Sequence, residues 1–178
     1  MARLYGISGS LRQASHNTLL VHEAARLFDP AEFTLGHLDL PLYNGDIEDR
    51  HGIPDAVRAL ADGIAASDAV VISTPEYNKG IPGVVKNALD WLSRTKPAPL
   101  KDKPVAILSA TSGISGGARA QYALRLALVP FHPHVLTGPE VLIGNSGDAF
   151  DADGRLTSDK SIGFLQELMD ALRARVGD

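Results

Sequence analysis

Short apolar segments alternate with longer amphipathic segments along the whole sequence, and this alternation restricts the fold strongly. The segment Ala69–Ser73 is a nearly continuous β-branched run, typical of a strand buried on both faces of a parallel sheet. Further apolar segments predict strands at 2–7, 33–38, 104–109 and 135–136, the last resumed at 141–143. Segments of helical periodicity predict helices at 15–28, 54–66, 82–93, 118–128 and 160–175. Five strands joined by helices predict an α/β fold with an open, doubly wound parallel sheet.

Length and composition limit the number of domains, the kinds of partner and the cellular compartment that the sequence fits. A chain of 178 residues predicts a single domain over 1–178. The absence of cysteine excludes disulfides, thiolate metal sites and a cysteine nucleophile. The formal net charge is −4 and there is no basic run, so we expect no nucleic-acid partner. No stretch approaches the roughly 20 apolar residues of a membrane span, and no signal-peptide pattern opens the sequence, so we expect a cytoplasmic protein.

The first loop, residues 8–18, joins a predicted strand to the start of a predicted helix. Free N–H groups and the helix dipole make such a junction suitable for an anion. Side chains of the loop add hydrogen-bond donors and one guanidinium, from Ser10, Arg12, Ser15, Asn17 and Thr18. The loop therefore predicts a phosphomonoester site, although Ser15 alone would also fit an ordinary helix cap. It contains neither G-x-G-x-x-G nor the P-loop motif.

Two more loops, 74–80 and 110–117, follow predicted strands and are rich in Gly, Ser, Thr and Asn. The carboxyl ends of parallel strands share one edge of a sheet, so we expect the three loops to form one pocket. The motif PEYN at 75–78 suits the edge of a planar heterocycle, but its residues also favour a plain surface turn.

Four motifs together resemble the NAD(P)H-dependent FMN reductase family, which includes bacterial quinone and chromate reductases. They are GSLRQASHN at 9–17, PEYN at 75–78, PGVVKNALDWLSR at 82–94 and GGARAQY at 116–122. The resemblance implies a flavodoxin-like three-layer sandwich with strand order 2-1-3-4-5, bound FMN, and NADPH or NADH as hydride donor. The FMN contacts it implies are Ser10, Leu11, Arg12, Ser15, His16 and Asn17 at the phosphate, Pro75, Glu76, Tyr77 and Asn78 along the isoalloxazine, and Thr111, Ser112 and Gly113 on its other side.

The activity implied by the resemblance is hydride transfer from NAD(P)H through FMN to quinones or similar two-electron acceptors. No side chain then acts as a catalytic nucleophile, and we expect no metal site. An azo- or nitro-compound reductase, an electron-carrier flavodoxin and a supplier of FMN remain alternatives. The segment 113–117 matches G-x-S-x-G, but no acidic residue lies between Ser115 and the later histidines, so a hydrolase triad is disfavoured.

The resemblance further implies a homodimer or homotetramer. It assigns possible inter-subunit contacts to Arg119, Tyr122 and Glu140, whereas Arg119 alone also fits a solvated helix face. Trp91 fits either a core aromatic residue or a subunit contact.

Overall fold

A central parallel sheet organises the computed structural model, which describes residues 2–176. Its strands are β1 (Arg3–Ser8), β2 (Glu32–Gly36), β3 (Ala69–Ser73), β4 (Pro104–Ala110), β5 (His134–Val135) and β6 (Val141–Ile143). The order is β2-β1-β3-β4-β5, as predicted, and β6 pairs with β4. Both β5 and β6 lie on the side of β4 away from β3, at Pro104–Val105 and at 108–110. The predicted fifth strand is therefore one edge strand interrupted at 136–140.

Helices cover both faces of the sheet and give the predicted three-layer sandwich. They are α1 (His16–Phe28), α2 (Gly45–His51), α3 (Asp55–Ala66), α4 (Gly83–Leu92), α5 (Ala118–Leu128) and α6 (Asp159–Val176), with 3₁₀ turns at Val129–Phe131 and Ser146–Asp148. One buried apolar cluster joins the sheet to α3, α4 and α5, and a second joins it to α1 and α6. Among residues 2–176, no helix has the length and apolarity needed to cross a membrane.

The position of β3 between two helical layers explains why its sequence is apolar throughout. Val70 and Ile72 belong to the cluster on one face of the sheet, and Ala69 and Val71 belong to the cluster on the other face. Successive side chains of a strand point to opposite faces, so a central strand between two helical layers has no polar side.

Helix α2 lies between the predicted strand at 33–38 and the predicted helix at 54–66, where the sequence predicted no helix. Asn44 caps the helix, with its side chain accepting from the Asp46 N–H at 2.9 Å. None of the α2 residues is buried, so the helix leaves no apolar periodicity in the sequence. Tertiary bonds hold it instead, because Glu48 accepts from the Tyr43 hydroxyl at 3.0 Å and pairs with Arg94 at 2.9 Å.

Trp91 on α4 is a core residue, and its interpretation as a subunit contact was wrong. Its side chain is fully buried, its Nε1–H donates to the Pro41 carbonyl at 2.7 Å, and Tyr43 packs edge-on against it. Asn87, one turn earlier, also bonds the backbone of Pro41 and Tyr43. Helix α4 thereby fixes the loop that follows β2.

Candidate functional site

The three predicted loops meet at the carboxyl edge of the sheet and enclose a cleft of about 350 Å³. Ten of the predicted contact residues line it: Ser10, Arg12, Ser15, His16, Asn17, Pro75, Glu76, Tyr77, Thr111 and Ser112. Leu11, Asn78 and Gly113 belong to the same loops but lie outside the lining. The prediction of one pocket with three walls is therefore confirmed as geometry, whereas the ligand contacts stay a prediction.

The start of α1 presents unpaired donors to the cleft. Ser15 is the N-cap, and its Oγ accepts from the Thr18 N–H at 3.3 Å. Within the described chain, the N–H groups of His16 and Asn17 donate to no protein acceptor. These two N–H groups carry the positive end of the helix dipole, so they suit an anionic group in the cleft.

Arg12 adds a cation that is free to bind a ligand. Its side chain is exposed at the lip of the cleft, and none of the carboxylates within 2–176 forms an ion pair with it. Its own N–H donates to the Ser10 Oγ at 3.3 Å, which tightens the loop. A guanidinium beside free N–H groups fits a phosphate group, which accepts several charge-assisted hydrogen bonds.

Asn17 has a different local role from the neutral phosphate donor that the sequence predicts. Its buried side chain donates to the Ala110 carbonyl at 2.9 Å and accepts from the Ala110 N–H at 3.0 Å. Its oxygen also accepts from the Ser73 hydroxyl at 2.8 Å. The amide thus joins the start of α1 to the ends of β3 and β4, and the backbone N–H of Asn17 has no acceptor among residues 2–176.

The second loop packs closely against the first and also supports α5. A Cβ on Gly9 would lie 2.9 Å from Val85 and 3.1 Å from Pro75, so only glycine permits this approach. Glu76 accepts from the N–H groups of Arg119 at 3.1 Å and Ala120 at 3.4 Å, and it pairs with the Arg119 guanidinium at 3.2 Å. Glu76 therefore both lines the cleft and caps the start of α5 with its carboxylate.

Tyr77 and Asn78 form the tip of the second loop. Tyr77 and Gly80 exchange both backbone hydrogen bonds at 3.0 Å, and Asn78 and Lys79 between them have φ of 52° and 66°. Positive φ at both central residues is typical of a type I′ turn, in which asparagine is favoured. Asn78 is exposed here, which agrees with the surface-turn alternative for that residue.

The third loop is held at both ends and exposed at its centre. The Thr111 N–H donates to the Ile143 carbonyl at 2.9 Å, whereas Ser112 and Gly113 are exposed and their N–H groups have no protein acceptor within 2–176. Gly117 has φ of 90° and its Cβ position would lie 2.7 Å from the Ser109 Cβ, so the turn into α5 requires glycine.

Four lining residues were not among the predicted contacts. Ala14 and Ala110 lie within the predicted loops 8–18 and 110–117, whereas Ser146 and Gly147 lie outside all three loops. Ser146 and Gly147 follow β6, the resumed part of the interrupted edge strand. The sequence pattern that could have predicted them is Gly-Asn-Ser-Gly-Asp at 144–148. This run is rich in turn residues and follows an apolar segment whose strand ends at the carboxyl edge of the sheet.

Comparison with known proteins extends over nearly the entire chain. A family model described as NADPH-dependent FMN reductase matches residues 2–148. An NAD(P)H-dependent FMN reductase of Pseudomonas aeruginosa is 44% identical over 173 residues, covering 96% of this chain and 93% of that protein. A quinone reductase of Escherichia coli strain K12 is 44% identical over 140 residues, covering 76% of this chain and 74% of that protein.

A solved structure with the same fold is FerB, a flavoenzyme NAD(P)H:(acceptor) oxidoreductase from Paracoccus denitrificans. It superposes with a TM-score of 0.88 at 36% identity, covering 99% of this chain and 98% of that chain. These matches confirm the resemblance drawn from the four motifs, and with it the flavodoxin-like fold and the enzyme class. The chain belongs to the NADPH-dependent FMN reductase family.

Proposed function

We propose that the protein is an FMN-dependent oxidoreductase that transfers a hydride from NAD(P)H to quinones or similar two-electron acceptors. The observation that carries the proposal is the cleft wall at α1. There Arg12 lines the cleft with His16 and Asn17, whose two backbone N–H groups have no acceptor among residues 2–176. This donor set fits a phosphomonoester such as that of FMN. Membership of the family and the quinone reductase among the relatives support the rest of the proposal.

The proposed FMN contacts fall into three groups. Residues 10–12 and 15–17 take the phosphate, residues 75–78 lie along the ring system, and residues 111–113 lie on its other side. When bound, FMN supplies the ring nitrogen that accepts a hydride and passes it on. The protein positions this ring. The N–H groups of Ser112 and Gly113, which lack an acceptor in the described part of the chain, can stabilise negative charge beside it.

Absorbance spectroscopy of the purified protein tests the proposal. We expect a yellow flavin spectrum, or one that forms on addition of FMN, that bleaches with anaerobic NADPH or NADH and returns when a quinone is added. A flavin that neither nucleotide bleaches would indicate an electron carrier instead. A protein that stays colourless with added FMN would overturn the assignment.

We also propose a homodimer or homotetramer in the cytoplasm, a reducing compartment that suits a chain without cysteine. Helix α5 supports an assembly, since Tyr122 and Leu126 are 60% and 75% exposed. Arg119, Tyr122 and Glu140 are the proposed contacts, although Arg119 also pairs with Glu76 of its own chain. We expect Tyr122→Phe to lower the mass measured by light scattering, and an unchanged mass would contradict the role of Tyr122.

A further inference from the structure

A fourth segment, residues 144–157, borders the cleft beside the three loops. It begins after β6, and its Ser146 and Gly147 line the same cleft as Arg12 and His16. Ser146 is 3% exposed, although it lies in a short 3₁₀ turn rather than in a strand or a long helix. A buried hydroxyl in such a turn needs hydrogen-bond partners, and these partners define its role.

Ser146 contacts two of the three loops. Its Oγ lies 2.9 Å from Nδ1 of His16, and its N–H donates to the Thr111 carbonyl at 3.0 Å. Phe150 of the same segment stacks on the His16 ring, with centroids 5.8 Å apart and planes at 29°. The imidazole is therefore fixed in position by one hydrogen bond and one aromatic contact.

His16 is also the first residue of α1, and its own N–H is one of the two unpaired donors. If the Ser146 hydroxyl donates to Nδ1, the proton of the neutral ring is on Nε2. In the described part of the chain Nε2 has no hydrogen-bond partner, so this N–H is free for a ligand. The ring thus offers a donor beside the helix terminus that suits a phosphate.

Given the proposed FMN site, on which this inference rests, we propose that Ser146 is a positioning residue. It holds the His16 imidazole at the phosphate end of the cleft, so that Nε2 contributes a hydrogen bond to the phosphate of FMN. Neither residue takes part in hydride transfer.

The rest of the segment is anchored independently of Ser146. Arg155 pairs with the buried carboxylate of Glu23 on α1 at 3.2 Å, and the Asp151 N–H donates to the Arg155 carbonyl at 2.9 Å. Phe150 also forms a backbone bridge with Leu156. Removal of the Ser146 hydroxyl therefore leaves the segment attached to α1.

Binding of FMN and riboflavin, measured separately by flavin fluorescence, tests the inference because riboflavin lacks the phosphate. We expect Ser146→Ala to raise the Kd for FMN about three- to tenfold, the effect of one hydrogen bond, and that for riboflavin less than about twofold. His16→Phe, which retains an aromatic ring against Phe150 at a half-buried position, should give the same pattern. The control is Thr157→Ala, which removes a hydroxyl of the same segment outside the cleft lining.

A double variant separates positioning from a direct contact. Once His16 is phenylalanine, Ser146→Ala should have no further effect on FMN binding, because its partner is gone. An equal loss for FMN and riboflavin would overturn the inference while leaving the proposed function intact. So would a further three- to tenfold loss of FMN binding when Ser146→Ala is added to His16→Phe. A wild-type protein that binds neither flavin would instead overturn the proposed function and this inference with it.

Discussion

Side chains around the cleft divide into those that hold the chain together and those that stay free. Asn17 and Ser15 use their polar atoms on Ala110, Ser73 and Thr18. Arg12 has no such partner in the structure as described, and its guanidinium remains solvated. A ligand that neutralises Arg12 therefore gains a charge-assisted contact without breaking an existing one.

We expect Arg12→Ala to weaken FMN binding by about 1.5–3 kcal/mol, the contribution of a hydrogen bond to a charged group. Fluorescence titration with FMN measures the change. Arg58→Ala is the control, because Arg58 is an exposed arginine on α3 that pairs with Asp55 of the same helix and lies outside the cleft lining. An FMN Kd equal to that of the wild type would remove Arg12 from the phosphate site.

Asp68 supports a prediction on pH. The Arg3 N–H donates to its carboxylate at 2.7 Å, which lowers the pKa of Asp68 below the usual 3.8. The ionised form thus stabilises the fold above pH 3.8, and this stability is lost as the pH falls through the lower pKa of the folded state. Asp68→Asn should reduce the free energy of unfolding by at most about 1 kcal/mol at pH 7, because the side chain is 35% exposed.

Urea unfolding of wild type and Asp68→Asn at pH 7, 5 and 3 measures this dependence. The difference between the two proteins should stay constant from pH 7 to 5 and shrink at pH 3. A difference that persists undiminished at pH 3 would show that the charge of Asp68 is not its source.

The role of Ser15 was predictable, because a serine before an amphipathic run is a common helix cap. The bonds of Asn17 to Ala110 were not, since they join residues 93 positions apart. Ser146 was missed for a similar reason: its partner His16 lies 130 positions away, and no local pattern links them.

Helix α5 receives its cap from another loop. Gly117, its N-cap residue, offers no side-chain acceptor, and the Glu76 carboxylate takes that place. This arrangement makes the loop after β3 part of the stability of α5, since the carboxylate bonds the free N–H groups and opposes the helix dipole.

We expect Glu76→Ala to reduce the free energy of unfolding by about 0.5–2 kcal/mol, the usual effect of losing a helix cap. Arg119→Ala should cost less than about 1 kcal/mol, since the Arg119 side chain is 58% exposed and the bonds from Glu76 to the backbone remain. Urea unfolding of both variants compares the two effects. Equal losses would show that the ion pair, rather than the cap, provides the stability.

Strands and helices with buried faces were predicted from periodicity, as α3 illustrates with its buried Val57, Leu60, Ala61 and Ile64. Helix α2 was not predicted, because it buries none of its residues and depends on the contacts of Glu48 with Tyr43 and Arg94. The interruption between β5 and β6 was visible as two apolar runs, but their common edge on β4 depends on tertiary pairing.

The two apolar clusters pack on opposite faces of the same strands, so unfolding of those strands disrupts both clusters at once. This arrangement supports the prediction of a single domain over residues 1–178. We expect urea unfolding followed by tryptophan fluorescence and by far-ultraviolet circular dichroism to give one coincident transition. The fluorescence of Trp91 follows the surroundings of α4, whereas circular dichroism follows all the helices. Separate midpoints for the two signals would therefore contradict a single domain.

The amide of Asn17 bonds the backbone of residue 110 rather than a side chain. Loop grafting from related enzymes should therefore succeed for residues 112–115, whose replacement leaves that backbone contact in place. Exchange of residues 10–17 for a segment without asparagine at position 17 would remove the amide and its contacts with the ends of both β3 and β4. The cleft thus has one wall that tolerates side-chain exchange and one whose exchange must retain Asn17.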